Sequence, residues 1–139
     1  MKNSKILVCV DGSKCSDKAF SYAITLAEKF NSKLVAIYVI DKSIDLGVFD
    51  RKEYLSLLRS YGKRVLKKCS TNMIGKKIKF NTTLEEGRIT MEITKYAKKG
   101  KFDLIVVGKK GLGRIPGFFM GSISNRVVKG AGCSVLVVK

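Results

Sequence analysis

The segment KILVCVDGS, residues 5–13, decides how the chain begins to fold. Residues 5–10 are rich in β-branched and other apolar side chains, which is typical of a strand. Asp11-Gly12-Ser13 then combines a turn signal with the N-cap of a helix. The residues that follow, 15–30, repeat apolar side chains at helical spacing. The segment therefore predicts a strand that turns directly into a helix, which is the first part of a β-α-β unit.

The same alternation continues to the end of the chain. Further strands are predicted at residues 33–40, 77–84, 102–107 and 134–138, and further helices at residues 51–72, 89–97 and 122–129. Strands that alternate with helices form a parallel sheet with helices on both faces. Because the crossovers are right-handed, the chain can wind outward and then return to the other side of the first strand. The sequence predicts an α/β fold with a five-stranded parallel sheet. If strands two and three lie on one side of strand one and strands four and five on the other, the order is 3-2-1-4-5, with the third strand at an edge.

The composition narrows the possible functions. The chain has 139 residues, which predicts one domain over residues 1–139, and 28 Lys and Arg against 11 Asp and Glu give a formal charge of +17. The sequence contains no histidine, which excludes Ser-His-Asp and Cys-His catalysis and histidine metal sites. The positive charge favours an anionic partner, but it does not distinguish nucleic acid, nucleotide, acidic protein and membrane surface.

The cysteines and the N-terminus indicate the compartment. Cys9, Cys15, Cys69 and Cys133 form no CxxC pair, and a zinc site would have to gather four scattered thiols without a histidine. A chain with this much apolar core material also has little need of disulfides. The apolar run before Asp11 is too short for a signal peptide or a membrane span. We therefore expect a soluble, cytoplasmic protein without membrane association.

Two segments stand out because they follow strands one and four. In the predicted strand order these strands border the point where the winding reverses, which is where ligands bind in open α/β sheets. Strand one ends in VDGS, residues 10–13, and strand four leads into GKKGLGR, residues 108–114, and then GSIS, residues 121–124. Glycines let backbone N–H groups approach an anion closely, and a helix N-terminus adds further N–H groups. The last 36 residues hold six Lys or Arg and no acid. The pattern predicts an anion site.

Two better-known phosphate loops do not fit this segment. GKKGLGR lacks the Lys-Ser/Thr pair that completes a Walker A loop. Gly111-Leu112-Gly113 is similar to the start of a dinucleotide fingerprint, but Pro116 stands where the third glycine belongs and the segment follows strand four. A plain turn between strand four and the next helix remains the simplest alternative to a ligand loop.

The spacing that fits is G-x2-G-x9-G-[S/T], which Gly108, Gly111, Gly121 and Ser122 satisfy. It resembles the nucleotide-binding signature of the ATP-binding branch of the universal stress protein family. The resemblance covers almost the whole chain, because KILVCVDGS, the YVID segment after strand two and an apolar last strand also match. It implies the Rossmann-like, adenine nucleotide alpha hydrolase-like form of the predicted sheet.

The resemblance also implies roles for individual residues. The end of strand one walls the ribose and adenine, with Asp11 near the ribose or a metal ion, Mg²⁺ or Mn²⁺, that the phosphates carry. The backbone of Val39 reads the adenine edge. The remaining implied contacts are those of strand one, the glycine loop and the next helix: Cys9, Val10, Gly108, Lys109, Lys110, Gly111, Gly113, Arg114, Gly121, Ser122, Ile123 and Ser124. The last strand, residues 135–138, is similar to the strand that pairs across a homodimer.

Three functions remain open from the sequence. The first is a non-catalytic, ATP-binding stress-response protein whose nucleotide (ATP, ADP or AMP) changes its contacts with partners. The second is slow ATP hydrolysis or phosphoryl transfer, which Asp11, the one nearby acid, supports poorly. The third is a basic nucleic-acid-binding module, although the lysine-rich tracts lack interleaved aromatic residues and are typical of solvated surface. Lys109 and Lys110 depart from the family pattern, and could either strengthen phosphate contact or obstruct the pocket.

Overall fold

A computed structural model describes residues 1–43, 51–111 and 121–139 of the chain. The elements follow one another as the alternating pattern predicts. In chain order they are β1 (Lys5–Cys9), α1 (Lys14–Phe30), β2 (Lys33–Asp41), α2 (Arg51–Asn72), β3 (Phe80–Gly87), α3 (Ile89–Lys99), β4 (Leu104–Gly108), α4 (Ser122–Gly130) and β5 (Ser134–Val138).

The five strands form one parallel sheet in the order β3-β2-β1-β4-β5. This confirms the predicted fold class and strand order. The register places Cys9 beside Ile37 of β2, and Val8 beside both Ala36 of β2 and Val106 of β4. β1 therefore lies at the centre of the sheet, and its carboxyl end adjoins that of β4, where the winding reverses.

The two faces of the sheet are covered by different helices, because side chains alternate along each strand. Ile6 and Val8 of β1 are fully buried in an apolar cluster with residues of α1 and α2. Leu7 and Cys9 belong to a second cluster, which includes residues of α3 and α4. We call these the α1/α2 face and the α3/α4 face. The alternation fixes which helix layer each residue at the end of β1 can contact.

The first helix begins where the turn signal predicts. Ser13 is the N-cap of α1, and its hydroxyl oxygen accepts a hydrogen bond from the Ser16 N–H at 3.2 Å. The helix ends at Asn31, which takes a left-handed φ of 52°. Asparagine tolerates this conformation because its short polar side chain can bond locally.

The third strand is displaced from its predicted position. The alternation of residues 77–84 predicts a strand there, whereas β3 occupies Phe80–Gly87 and pairs with β2 from Leu34↔Phe80 to Asp41↔Gly87. β3 is an edge strand with mostly half-buried or exposed side chains, as expected. Its limits follow from pairing with the long strand β2, so the local hydrophobic pattern is a poor guide to them.

Within the described ranges, no helix is long and apolar enough to cross a membrane.

Candidate functional site

The turn between β1 and α1 is held by its own polar groups. The Asp11 carboxylate oxygen Oδ1 accepts a hydrogen bond from the Ser13 N–H at 2.8 Å. The Asp11 N–H donates to the Ser16 hydroxyl oxygen at 3.2 Å. One carboxylate oxygen of Asp11 is thus used to fix the turn, and the side chain is half-buried at the carboxyl edge of the sheet.

Gly12 and Tyr61 lock this turn against helix α2. The Tyr61 hydroxyl donates to the Asp11 carbonyl oxygen at 3.3 Å. Gly12 has a φ of 86°, and a Cβ atom at this position would overlap the Tyr61 hydroxyl oxygen and lie 3.3 Å from a methyl carbon of Val65. A side chain at position 12 would therefore meet both an unfavourable backbone conformation and occupied space.

The carboxyl end of β4 lies directly beside the β1–α1 turn. A Cβ atom on Gly108 would lie 2.8 Å from the backbone carbon and oxygen of Cys15 in α1. A Cβ atom on Gly111 would lie 2.6 Å from Oδ2 of Asp11. Both glycines are needed for close approach, and the second brings the backbone after β4 against the Asp11 carboxylate. The structure therefore joins the two segments that the sequence singles out.

Helix α4 begins beside the same segment. Gly121 is its N-cap, without a side-chain cap hydrogen bond, and the Gly121 N–H donates to the Lys109 carbonyl oxygen at 2.7 Å. The buried Ser124 hydroxyl donates to the same carbonyl oxygen at 2.9 Å. Lys109 thereby ties the end of β4 to the start of α4. The first N–H groups of α4, with the positive end of its dipole, lie at the edge that also carries Asp11 and Gly111.

An apolar wall lies on the α3/α4 face of this edge. Cys9 is 9% exposed and belongs to the cluster on that face, and Val39 and Ile123 pack against the same cluster as partly buried side chains. Val10, the next residue of the chain, instead belongs to the cluster of the α1/α2 face. The wall offers a surface for a flat, apolar group next to the N-terminus of α4.

The backbone of Val39 points into this edge. On β2, the Lys33 N–H donates to the Ser4 carbonyl oxygen, and the Ile37 carbonyl oxygen accepts from the Val10 N–H. The odd-numbered residues of β2 therefore form their backbone hydrogen bonds on the β1 side. The Leu34 N–H donates to Lys79, on the β3 side. Because this direction alternates along a parallel strand, the N–H and C=O of Val39 point to the β1 side, beyond the last paired residue of β1. A donor and an acceptor therefore border the apolar wall.

The structure brings most of the predicted site residues together and leaves two without a description. Gly113 and Arg114 lie outside the described residues. Lys109 and Lys110 are half-buried, and Ser122 is exposed at the first turn of α4. The Ser124 hydroxyl donates its proton to the carbonyl oxygens of Lys109 and Gly121, so this proton is committed to bonds within the protein. Ser122 is the hydroxyl that the surface presents.

Sequence reasoning did not identify Tyr61 and Cys15 as supports of the site. Tyr61 belongs to the apolar stripe of α2 and bonds to the turn from 50 positions away in the chain. Cys15 contacts Gly108 mainly through its backbone carbon and oxygen, with its Cβ atom slightly farther away. The one signal available in the sequence is Asp-Gly at the end of a strand, which predicts a left-handed glycine but not its neighbour.

Burial keeps the Cys9 thiol protonated. Burial first, and the nearby Asp11 charge second, raise the pKa of Cys9 from its ordinary value of 9.0 to about 12. Above pH 9 the unfolded chain loses this proton while the folded chain keeps it, so the free energy of unfolding falls as the pH rises toward 12. The thiol is therefore a neutral part of the apolar wall at physiological pH.

We expect the free energy of unfolding to fall less steeply above pH 9 in Cys9→Ala than in the unmodified protein. The difference in slope should be roughly 1.4 kcal/mol for each pH unit, which is the effect of one proton. Urea unfolding of both proteins at pH 8, 9 and 10 measures this difference. Tyr38 and Cys69, whose pKa values are also raised, are present in both proteins and cancel. Parallel stability curves for the two proteins would contradict the expected pKa of Cys9.

The fold and the residues at its carboxyl edge define a class of protein. They describe an open α/β sheet with closely packed glycines and a helix N-terminus at its topological switch point. The chain belongs to the universal stress protein family, whose family model matches residues 2–139.

Relatives and solved structures agree with this assignment. A universal stress protein of Methanocaldococcus jannaschii is 38% identical over 138 residues, which cover 97% of this chain and 81% of the relative. The solved universal stress protein UspA of Lactobacillus plantarum matches with a TM-score of 0.78 and 26% identity, over 100% of this chain and 99% of that one. A family protein of Arabidopsis thaliana, solved with AMP bound, matches in fold with a TM-score of 0.73 and 20% identity, over 98% and 91% of the two chains.

Proposed function

We propose that this protein binds an adenine nucleotide at the switch point between β1 and β4. The observation that carries the proposal is the contact of Gly111 with Asp11, where a Cβ atom would lie 2.6 Å from the carboxylate. This contact brings the Asp11 carboxylate and the backbone after β4 together at the edge where α4 begins. Such an edge offers backbone N–H groups for phosphates and a carboxylate for ribose hydroxyls.

The base would lie against the apolar wall. Cys9 and Ile123 provide the apolar surface, and the backbone of Val39 provides one donor and one acceptor in line with it. Adenine carries a donor and an acceptor side by side on its Watson–Crick edge, so a strand backbone can read it without side chains. The AMP bound by the Arabidopsis protein, which shares this fold, supports an adenine nucleotide as the ligand class.

A phosphate-bound Mg²⁺ or Mn²⁺ would lie beside the Asp11 carboxylate. Asp11 uses Oδ1 for the Ser13 N–H, and its other oxygen, Oδ2, faces Gly111. Mg²⁺ keeps most of its waters and is often held by one carboxylate together with substrate phosphates. The structure shows no group of three or more metal-ligating side chains among residues 1–43, 51–111 and 121–139. Asp11 would hold such an ion through a bridging water or through the phosphates of the nucleotide. The ion would neutralise part of the phosphate charge.

The biological role that we infer is a nucleotide-dependent stress-response module in the cytoplasm. Nucleotide binding would change the contacts that this edge of the sheet makes with protein partners. Hydrolysis of ATP is not part of this role. The sequence contains no glutamine, so the water-positioning glutamine of phosphoryl-transfer sites is absent and Asp11 alone is weak support for hydrolysis. We expect phosphate release from ATP over hours to equal that of Asp11→Ala.

Nucleotide carried through purification tests the proposal directly. The protein is denatured, the released small molecules are identified by mass spectrometry, and the refolded, emptied protein is titrated with ATP, ADP and AMP by calorimetry, with and without Mg²⁺. We expect an adenine nucleotide in the first measurement and saturable binding in the second. Failure of both, at millimolar nucleotide, would overturn the proposal.

We further propose that β5 pairs with β5 of a second copy to form a homodimer. Among the residues that the structure describes, β5 is an edge strand that pairs only with β4. Val135, Leu136 and Val137 are half-buried, and each packs against one of the two core clusters. An apolar edge of this kind invites pairing with another strand, because its outward N–H and C=O groups need partners.

Val135→Lys is expected to convert the dimer into a monomer, because the edge would carry a charge opposite its own copy. The measurement is sedimentation velocity at several protein concentrations. Val128→Lys, on α4 at a side chain that is 44% exposed, is the matched control and should remain a dimer. A dimer that survives Val135→Lys, or a wild-type monomer, would contradict the pairing through β5.

A further inference from the structure

A cavity of about 300 Å³ lies on the α1/α2 face, on the side of the sheet opposite the apolar wall. Its apolar lining consists of the residue after β1 and side chains of α1 and α2: Val10, Phe20, Val65 and Cys69. The Phe20 ring is fixed by the Phe80 ring, with the ring centres 5.8 Å apart. The volume is at the lower end of the range for small-molecule sites in proteins. The cavity can therefore take a body of one or two aromatic rings.

The polar lining of the cavity is positively charged. Lys68 lies 3.6 Å from Asp17, so these two charges offset each other at the cavity edge. Arg64 is different, because it makes no ion pair with any residue of the described ranges. Its guanidinium lies 5.8 Å from the centre of the Tyr61 ring. The stacked ring holds the guanidinium beside the cavity with its hydrogen-bond donors available for an anion.

We propose that this cavity is a second ligand site, for a small aromatic carboxylate. The ring of the ligand would lie against Phe20 and Val65, and its carboxylate would pair with Arg64. The apolar lining accounts for the ring and the unbalanced guanidinium accounts for the negative charge, so neither a neutral ring nor a simple anion would use the whole site.

The cavity shares the β1–α1 turn with the candidate nucleotide site. Gly12 lines the cavity, and Tyr61 bonds to the carbonyl oxygen of Asp11. The carboxylate of Asp11 reaches the glycine edge next to Gly111. The two sites are therefore distinct but back onto the same three residues. The proposal does not depend on nucleotide binding, and its test uses the nucleotide-free protein.

The probes are 2-naphthoate and its neutral counterpart 2-naphthamide, which differ in charge but have the same ring. Binding is followed by amide chemical shifts in ¹⁵N–¹H NMR spectra of the full chain. We expect 2-naphthoate to saturate at submillimolar concentration, with its shifts confined to Val10, Gly12 and the second half of α2. It should bind about fivefold more tightly than 2-naphthamide, the effect of one partly exposed ion pair.

Arg64→Ala should remove the preference for 2-naphthoate while leaving 2-naphthamide binding unchanged. Lys63→Ala, a change on the same helix at an exposed residue outside the cavity, is the matched control and should keep the preference. Val65→Phe should weaken both probes by filling the cavity, and the amide spectrum shows whether this variant folds. If Val65→Phe does not fold, the exposed Arg64→Ala decides the test alone.

Two results would overturn the proposal. One is a set of shifts spread over lysines across the surface, which would show that 2-naphthoate binds the overall charge. The other is an equal loss of affinity in Arg64→Ala and Lys63→Ala. Gly121→Val, at the nucleotide edge, should leave 2-naphthoate binding intact. Loss of nucleotide binding with retention of naphthoate binding would thus separate the failure of one site from that of the other.

Discussion

Gly121→Val is expected to weaken adenine nucleotide binding about 100-fold, the effect of losing one or two charge-assisted hydrogen bonds from backbone N–H groups. A Cβ atom at this position would lie 3.0 Å from the Lys109 carbonyl oxygen, so the start of α4 must move away from β4. The valine methyl groups would also stand beside the first N–H groups of the helix. Calorimetric titration with ATP, ADP and AMP measures the change.

The folded state should survive this substitution. Gly121 has φ −70° and ψ 158°, which is extended backbone that valine adopts readily. Gly132→Val is the matched control, because a Cβ atom at Gly132, between α4 and β5, meets nothing within 4 Å. It should bind nucleotide as the unmodified protein does. Equal affinities in the two variants would place the phosphates somewhere other than the N-terminus of α4.

Gly12→Ala is expected to lower the free energy of unfolding by about 2 to 4 kcal/mol, the sum of a left-handed backbone penalty and an overpacking penalty. The φ of 86° disfavours any side chain, and the added methyl group would overlap the Tyr61 hydroxyl oxygen. Tyr61 would have to move and give up its bond to the Asp11 carbonyl oxygen. Urea unfolding, followed by circular dichroism, measures the loss.

Gly75→Ala separates the two causes. Gly75 has a similar φ of 83°, but a Cβ atom there meets nothing within 4 Å. This control should lose only the backbone part, about 1 kcal/mol. If both variants were destabilised equally, the contact between Gly12 and Tyr61 would contribute nothing to stability. Tyr61→Phe combined with Gly12→Ala should recover part of the loss, because the clashing hydroxyl oxygen is gone.

The sequence predicts the elements of the fold well where the signals are local. The alternation of strands and helices, the N-cap at Ser13 and the helix start after Gly121 depend on neighbouring residues, and all are confirmed. The predicted strand order is also confirmed, although it is one of several orders that right-handed crossovers allow. The limits of β3 are the exception, since pairing with β2 overrides its own hydrophobic pattern.

The sequence predicts which residues lie at the candidate site better than it predicts what each of them contacts. The glycine spacing and Asp11 identify the edge, and the structure brings Gly108, Gly111 and Gly121 to it. The sequence does not reveal that the Ser124 hydroxyl donates to the Lys109 carbonyl oxygen, whereas the Ser122 side chain is exposed. That distinction depends on which side of a helix faces a neighbouring carbonyl, a contact between residues 15 positions apart.

The alternation of strands and helices, and the glycines that follow β4, can be predicted from the sequence, because periodicity and φ preferences act over a few neighbouring residues. The contact of Gly111 with Asp11, the bond from Tyr61 to the turn and the direction of the Val39 backbone are known only from the folded chain. The folded chain also places Arg64, an exposed residue of α2, beside a cavity. These features join segments far apart in the chain, and the energy of such contacts is defined only once the sheet has fixed their distance and direction.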